Sequence, residues 1–168
     1  MSAFLEALEY TKREEGGYSS DYHDPGNWTG GKVGAGELRG TKYGISAKSY
    51  PALDIKNLTL GEAREIYLRD FWEPIHGDSL PRAWRISLFD TAVNVGVPRA
   101  VEMFQDALGV MVDGRIGPRT IAAAQAGDNR RLARFYARRV RWYSELPTFD
   151  RYWDGWLTRS FVMAMEAT

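Results

Sequence analysis

The sequence predicts a mainly α protein with one irregular polar excursion near its start. Three observations predict it. Apolar residues recur at helical spacing through most of the chain, and Gly, Pro and Asx residues cut that pattern into helix-length pieces. The stretch from Tyr18 to Gly44 breaks the habit, being rich in Gly, Asp, Ser and Thr with few apolar residues.

Taken in order, residues 3–15 place Phe4, Leu5, Leu8 and Thr11 on one face with charges opposite. Gly16-Gly17 then ends that helix, because paired glycines favour the left-handed turn after a C-cap. Residues 18–44 form a long loop with a short β-hairpin, and loops of this length in compact domains tend to carry function. Thr59-Leu60-Gly61-Glu62 is a capping box, opening a helix that runs to about Trp72 before Pro74 halts it. Pro81 starts a helix ending near Gly96, and Pro98 opens the next, which stops at Gly109. Asp113-Gly114 makes a turn, and Pro118 begins a short helix to Ala126. Asp128 or Asn129 caps a long helix to about Leu146, and a last helix covers Tyr152–Met165.

Composition narrows the function. The 168 residues suffice for a single domain, or for a catalytic lobe with a small appendage. Cysteine is absent and there are two histidines, His23 and His76, so a thiolate zinc site, a multi-histidine metal cage or a histidine-based triad is not expected. Gly30-Gly31-Lys32 lacks the spacing of a phosphate-binding loop, and no nucleic-acid motif is present. No run approaches the roughly 20 apolar residues of a membrane span, and the N-terminus lacks the basic start and apolar core of a signal peptide. Synthesis in the cytoplasm is therefore expected, with passage to any outer target supplied by another factor. Net charge is zero but uneven: residues 1–80 carry 9 basic and 13 acidic side chains, and the remaining 13 basic residues of the second half are all Arg. Arg131, Arg134, Arg138 and Arg141 form one helical stripe, suited to an anionic polymer or a membrane surface, or simply a solvated face.

The chemistry centres on Glu15. Hydrolysis of a glycosidic bond needs a carboxylic acid that protonates the leaving oxygen, and a helix end raises a carboxyl pKa because its carbonyls disfavour the anion. Glu15 stands at such an end, before two glycines that leave room for a sugar ring. A surface glutamate at a frayed end has the same local sequence. Asp24, in His23-Asp24-Pro25-Gly26, can activate water or stabilise an oxocarbenium-like transition state, or can serve only as a turn former. Thr41 can hold the attacking water, or be local structure. Tyr18, Trp28, Tyr43 and Trp72 are candidates to stack on pyranose faces, with core packing the competing role for Tyr43 and Trp72. Asn94 can bind a substrate amide or tie down an active-site loop.

Glu14-Glu15-Gly16-Gly17-Tyr18, then Asp24-Pro25-Gly26, then Thr41-Lys42-Tyr43-Gly44-Ile45-Ser46 resemble the N-terminal signature of glycoside hydrolase family 108. Phe89-Asp90-Thr91-Ala92-Val93-Asn94-Val95-Gly96 is similar to a helix of that family, and Val112–Thr120 to the turn of its peptidoglycan-binding region. The resemblance implies a lysozyme-like α fold and N-acetylmuramidase activity, of the kind found in phage-type endolysins. It implies a catalytic region over residues 1–96 and a C-terminal helical, peptidoglycan-binding region over 97–168. Glu15 would be the acid, with Asp24 and Thr41 as partners; the residues themselves offer Tyr18, Trp28, Tyr43 and Asn94 to the substrate, and no cofactor or metal is expected. The expected partner is the peptidoglycan glycan strand, met by a monomer. A lytic transglycosylase on the same substrate, or a non-catalytic wall-binding module, are the alternatives. One departure stands out: residues 27–40 form an insertion before Thr41, and it brings Glu37 into the neighbourhood as a third carboxylate.

Overall fold

The computed structural model describes residues 2–11 and 17–167. It divides into two compact units, a helical one from residues 1–11 and 69–168 and a loop-rich one from residues 12–68. Among the described residues it is a mainly α fold, as the sequence predicts, and its one two-stranded sheet lies in the loop-rich unit.

In the helical unit, α1 (Ala3–Thr11) packs against α3 (Arg82–Val95), which also contacts α4 (Val97–Leu108) and α7 (Phe149–Ala167). The short α5 (Pro118–Gln125) rests on α4, and α6 (Asn129–Ser144) lies against α4 and α7. The punctuation read from the sequence does its work at these ends: Pro118 sits in the first turn of α5, the Asp128 side chain accepts from Arg131 N, and Gly109 ends α4 in the left-handed conformation.

Two edge-to-face aromatic triplets fill the core. Phe4, Trp72 and Phe89 meet with ring centroids 5.6–6.0 Å apart, and Trp84, Phe104 and Phe135 at 5.1–6.4 Å. Such pairs add about 0.5–1.5 kcal/mol each beyond the area they bury. Of the remaining C-terminal aromatics, Tyr136 and Tyr143 are buried, whereas Trp153 is half exposed.

A polar seam crosses this apolar core. Asp90 on α3 is fully buried, and Arg139 Nη1 on α6 donates to its Oδ2 at 2.5 Å. Arg159 on α7 donates to Asp90 Oδ1 through Nε and Nη2, at 3.0 and 2.7 Å. The same Nη2 donates to the carbonyl of Thr11, the last residue of α1, at 2.8 Å. Arg139 further donates to Thr91 Oγ1 and Tyr143 Oη. One carboxylate thus joins three helices and, through Arg159, the C-terminal end of a fourth. Burial also pushes the Tyr136 phenol up, so its hydroxyl stays a hydrogen-bond donor to Ser87 Oγ at 2.8 Å.

Two helices depart from the sequence pattern. The helix opened by Thr59 is regular as α2 only over Leu60–Tyr67, and Leu68–Trp72 widens into a π-turn. Trp72 is then buried with its indole N–H donating to Asp78 Oδ2 at 3.2 Å, and its ring lies against Gly77. A core role, not a sugar platform, follows for Trp72. The last helix is longer than the sequence suggests and starts at Phe149.

Candidate active site

Asp24, Thr41, Tyr18, Trp28 and Tyr43 all belong to the loop-rich unit, while Glu15 lies outside the described residues. The unit's own apolar core is small: Ile45, Ala47, Ile55, Leu58, Ala63, Ile66 and Tyr67 are buried. Above it, residues 17–50 are held by backbone hydrogen bonds and by turns that need a positive φ.

Asp24 caps a single 3-10 turn, Pro25–Asn27, accepting from Gly26 N on Oδ1 at 2.8 Å. The carboxylate is exposed, and among the described residues its Oδ2 has no partner. Turn former and available base are therefore compatible roles here, because they use different oxygens.

The insertion is an ordered loop rather than a loose one. Trp28 and Leu38 pair across it, Thr29 N donates to Glu37 O at 3.0 Å, and Gly30 N donates to Ala35 O at 3.0 Å. Its base is closed by the Asn27 carbonyl, which accepts from Arg39 N and Gly40 N at 2.9 and 3.0 Å. The Asn27 side chain, fully buried, donates to Asp21 O at 3.0 Å. Asn27 thus joins the base of the insertion to the turn that carries Asp24, its own N–H donating to Asp24 O at 3.1 Å.

Trp28 corrects an expectation. It is only 9% exposed, its indole N–H donates to Tyr22 O at 2.8 Å, and its ring meets Tyr22 edge to face. The loop does have a core to join, and Trp28 is that core, so it does not offer a face for a sugar to stack on. Glu37, the third carboxylate, lies on the same loop and is exposed. It is paired with Arg39 at 2.6 Å, and Arg39 also donates to Pro51 O.

Thr41 begins a hairpin, β1 (Thr41–Lys42) and β2 (Ile45–Ser46), joined by Tyr43-Gly44. Both turn residues have positive φ, 50° and 72°, the pattern of a two-residue loop whose twist matches the strands. For a tyrosine this conformation costs of order 1–3 kcal/mol. The Tyr43 carbonyl accepts from Tyr67 Oη at 3.0 Å, which holds the turn from the α2 side. Thr41 also exchanges two backbone hydrogen bonds of 2.8 Å with Ser19. Ser19 is four residues along the chain from Glu15. The strand carrying Thr41 is therefore laced to the segment that follows Glu15.

Tyr18 is 39% exposed and lines a cleft of about 410 Å³ with Leu38, Arg39, Asp54, Ile55 and Lys56. Its ring lies so close to Gly40 that a Cβ there would come within 2.6 Å. Asn94 belongs to the helical unit. Its amide donates to Asp90 O, one turn back along α3, at 2.7 Å.

Three structural side chains escaped the sequence reading. Arg139 falls in the same three-and-four register as buried Leu132, Phe135, Tyr136 and Tyr143, a signal that marks it as inward-facing. Of the arginine stripe, Arg138 pairs with Asp106 and Arg141 with Glu145. Arg159 has no comparable signature. Gln105, buried on α4, donates to Asp113 Oδ1 and Arg115 O and accepts from Asp113 N and Gly114 N. That one amide fixes the Asp113-Gly114 turn. Among the described residues no group of His, Asp and Glu could hold a metal ion, and no helix is long and apolar enough to cross a membrane.

Comparison with known proteins places the chain in a family. Residues 8–96 match the model of glycosyl hydrolase 108, and residues 99–161 match a predicted peptidoglycan domain. No curated protein matches the chain. Among solved structures, one titled "Structure of Brucella abortus SagA" superposes with a TM-score of 0.81 at 29% identity, over 98% of this chain and 92% of that one. The boundary between the two matched segments falls between Gly96 and Arg99, inside the helical unit, so both matched segments contribute to one core. With more than half the chain under the first model, the protein belongs to the glycosyl hydrolase 108 family and is a glycoside hydrolase with a peptidoglycan-recognising second segment.

Proposed function

We propose that the chain is an N-acetylmuramidase that hydrolyses the β-1,4 bond between N-acetylmuramic acid and N-acetylglucosamine in peptidoglycan. Glu15 protonates the glycosidic oxygen as the bond breaks. Asp24, through its open Oδ2, takes the proton from water or stabilises the oxocarbenium-like sugar. The Thr41 hydroxyl orients that water. Tyr18 supplies an exposed ring beside the cleft, and Tyr43 is a second, half-buried ring at the hairpin tip.

The observation that carries this reading is the paired bridge between Ser19 and Thr41. It supports a site in which residues far apart in the insertion-bearing chain act on one bond, because it laces Thr41 to the segment that follows Glu15. Further support comes from the family match, which spans all three residues. Peptidoglycan as polymer fits the second segment's match.

We further propose an endolysin-type role: a monomer made in the cytoplasm that meets the wall after another factor releases it. The Arg-rich face of α6 is at most a weak membrane contact, since Asp106 and Glu145 beside Arg138 and Arg141 cancel the local positive charge that an anionic surface would attract.

Product analysis tests the reaction. Digestion of purified peptidoglycan should give muropeptides with reducing N-acetylmuramic acid ends, each heavier by one water than a 1,6-anhydro product. Anhydro ends would identify a lytic transglycosylase instead, and no products would leave a wall-binding module.

A further inference from the structure

The helical unit carries a groove that the glycosidase chemistry does not use. It lies between α4 and α6, has a volume of about 390 Å³, and falls within the segment matched to the peptidoglycan domain. Its floor is apolar: Met103 is buried, with Trp142 half-buried and Val112 half exposed beside it. Its walls are three ion pairs. Arg99 meets Glu102 at 2.9 Å, Arg141 meets Glu145 at 3.2 Å, and Arg138 meets Asp106 across the two helices.

We infer that this groove binds the peptide stem of peptidoglycan, a short peptide carrying both carboxylates and a free amine. This rests on the reading of peptidoglycan as the polymer, but not on the bond that is cut. The charge pattern selects the ligand class. Three cations and three anions line it in pairs, so the groove has no net charge with which to hold a polyanion such as a phosphate polymer. Its polar side chains are all charged, so a neutral sugar would leave their charges uncompensated where a charged ligand would not. A zwitterionic peptide meets both signs at once, and the alkyl part of a diamino acid covers Met103 and the Trp142 ring. Opening the lining pairs costs little, since exposed ion pairs contribute only about 0–1 kcal/mol each. Arg141 and Glu145 are 81% and 61% exposed, so they are free to exchange partners.

Gln105 supports the design. It pins the Asp113-Gly114 turn that follows Val112, so one wall of the groove is fixed by a buried amide rather than left as a loose loop.

Titration of the full chain with the tripeptide L-alanyl-γ-D-glutamyl-meso-diaminopimelate, followed by ¹H–¹⁵N NMR, tests the inference. The expected result is saturable shifts of the Trp142 indole and the Arg138 and Arg141 side chains. Arg141→Glu should weaken binding at least fivefold with an unchanged melting temperature, and the dipeptide lacking the diamino acid should bind at least fivefold more weakly than the tripeptide. A tripeptide that leaves these resonances unmoved overturns the inference. So does binding that Arg141→Glu does not alter, or a chitin tetrasaccharide that moves the same resonances when the tripeptide does not. Cleavage products are a separate readout: an inactive chain that binds the tripeptide refutes the glycosidase reading alone, and an active chain that ignores it refutes the groove alone.

Discussion

The helical unit and the loop-rich unit bury polar groups in opposite ways. In the helical unit the helices satisfy their own backbone, and what must be matched inside is side-chain charge: Asp90 against Arg139 and Arg159. In the loop-rich unit few charges are buried, and what must be matched is the backbone itself, residue by residue, from Ser19 to Tyr50. Five glycines there, Gly31, Gly34, Gly36, Gly40 and Gly44, have positive φ. The difference teaches where a lesion will be felt. Losing a partner in the helical unit strands a charge in a shared core and threatens the whole fold. Losing a turn in the loop-rich unit disturbs the chain near Asp24 and Thr41, and the cost falls on activity.

The largest expected effect is therefore Asp90→Asn. The variant keeps the shape of the side chain but leaves two arginines facing one another's charge, and breaking a buried pair this way costs about 3–5 kcal/mol. For a chain of this size that corresponds to a fall in melting temperature of roughly 10 °C. A fall of only a degree or two would mean that the seam is not what joins α3, α6 and α7.

Gly40→Ala probes the other side. Gly40 has φ +83°, and a Cβ would approach Ser19 O to 2.4 Å and the Tyr18 ring to 2.6 Å. The Ser19–Thr41 bridge cannot survive that contact unchanged. Peptidoglycan cleavage should drop at least tenfold while the melting temperature moves far less than in Asp90→Asn. If instead melting falls as far and activity persists, the contrast between the units is broken.

A smaller effect sharpens the comparison at low pH. Hydrogen bonds from Arg82 and Arg85 hold the Glu6 carboxyl below its ordinary value of 4.5. A carboxylate with a depressed folded-state pKa contributes stability that is fully present above its unfolded value and lost as pH falls through the folded one. Glu6→Gln should thus lower stability modestly at pH 7, and the difference from the unaltered chain should begin to shrink as pH drops below 4.5. Urea melts at pH 7, 5 and 3 would read this directly; a difference no smaller at pH 3 than at pH 7 would mean that Glu6 acts through packing.

How much of this was legible in the sequence follows the same division. Helix periodicity, capping residues and prolines set out the helical unit closely, because its elements carry their own start and stop chemistry, as at Gly109, Pro118 and Asp128; Thr59 with Glu62 does the same for α2 in the loop-rich unit. The π-turn after Tyr67 was not legible, since Leu68–Trp72 continues a helical pattern in the sequence. In the loop-rich unit, Asp24 as a turn former could be read from Pro25-Gly26. The burial of Trp28 could not, because its core is made by a neighbour in the chain, Tyr22, and by a cross-loop partner, Leu38. Arg139 was hidden among six arginines on one helix, though its register with Leu132, Phe135 and Tyr143 set it apart. Pairings across long separations, such as Arg159 with Asp90, leave no local trace.

The central claim is that Glu15 is the acid. Rates of release of soluble muropeptides from purified peptidoglycan by the unaltered chain, Glu15→Gln and Asp24→Asn, with folding verified by melting temperature, test it most directly. We predict that Glu15→Gln loses at least a thousandfold in rate with an unchanged melting temperature, and that Asp24→Asn loses less. A Glu15→Gln variant that clears peptidoglycan at a rate close to the unaltered chain would contradict the account.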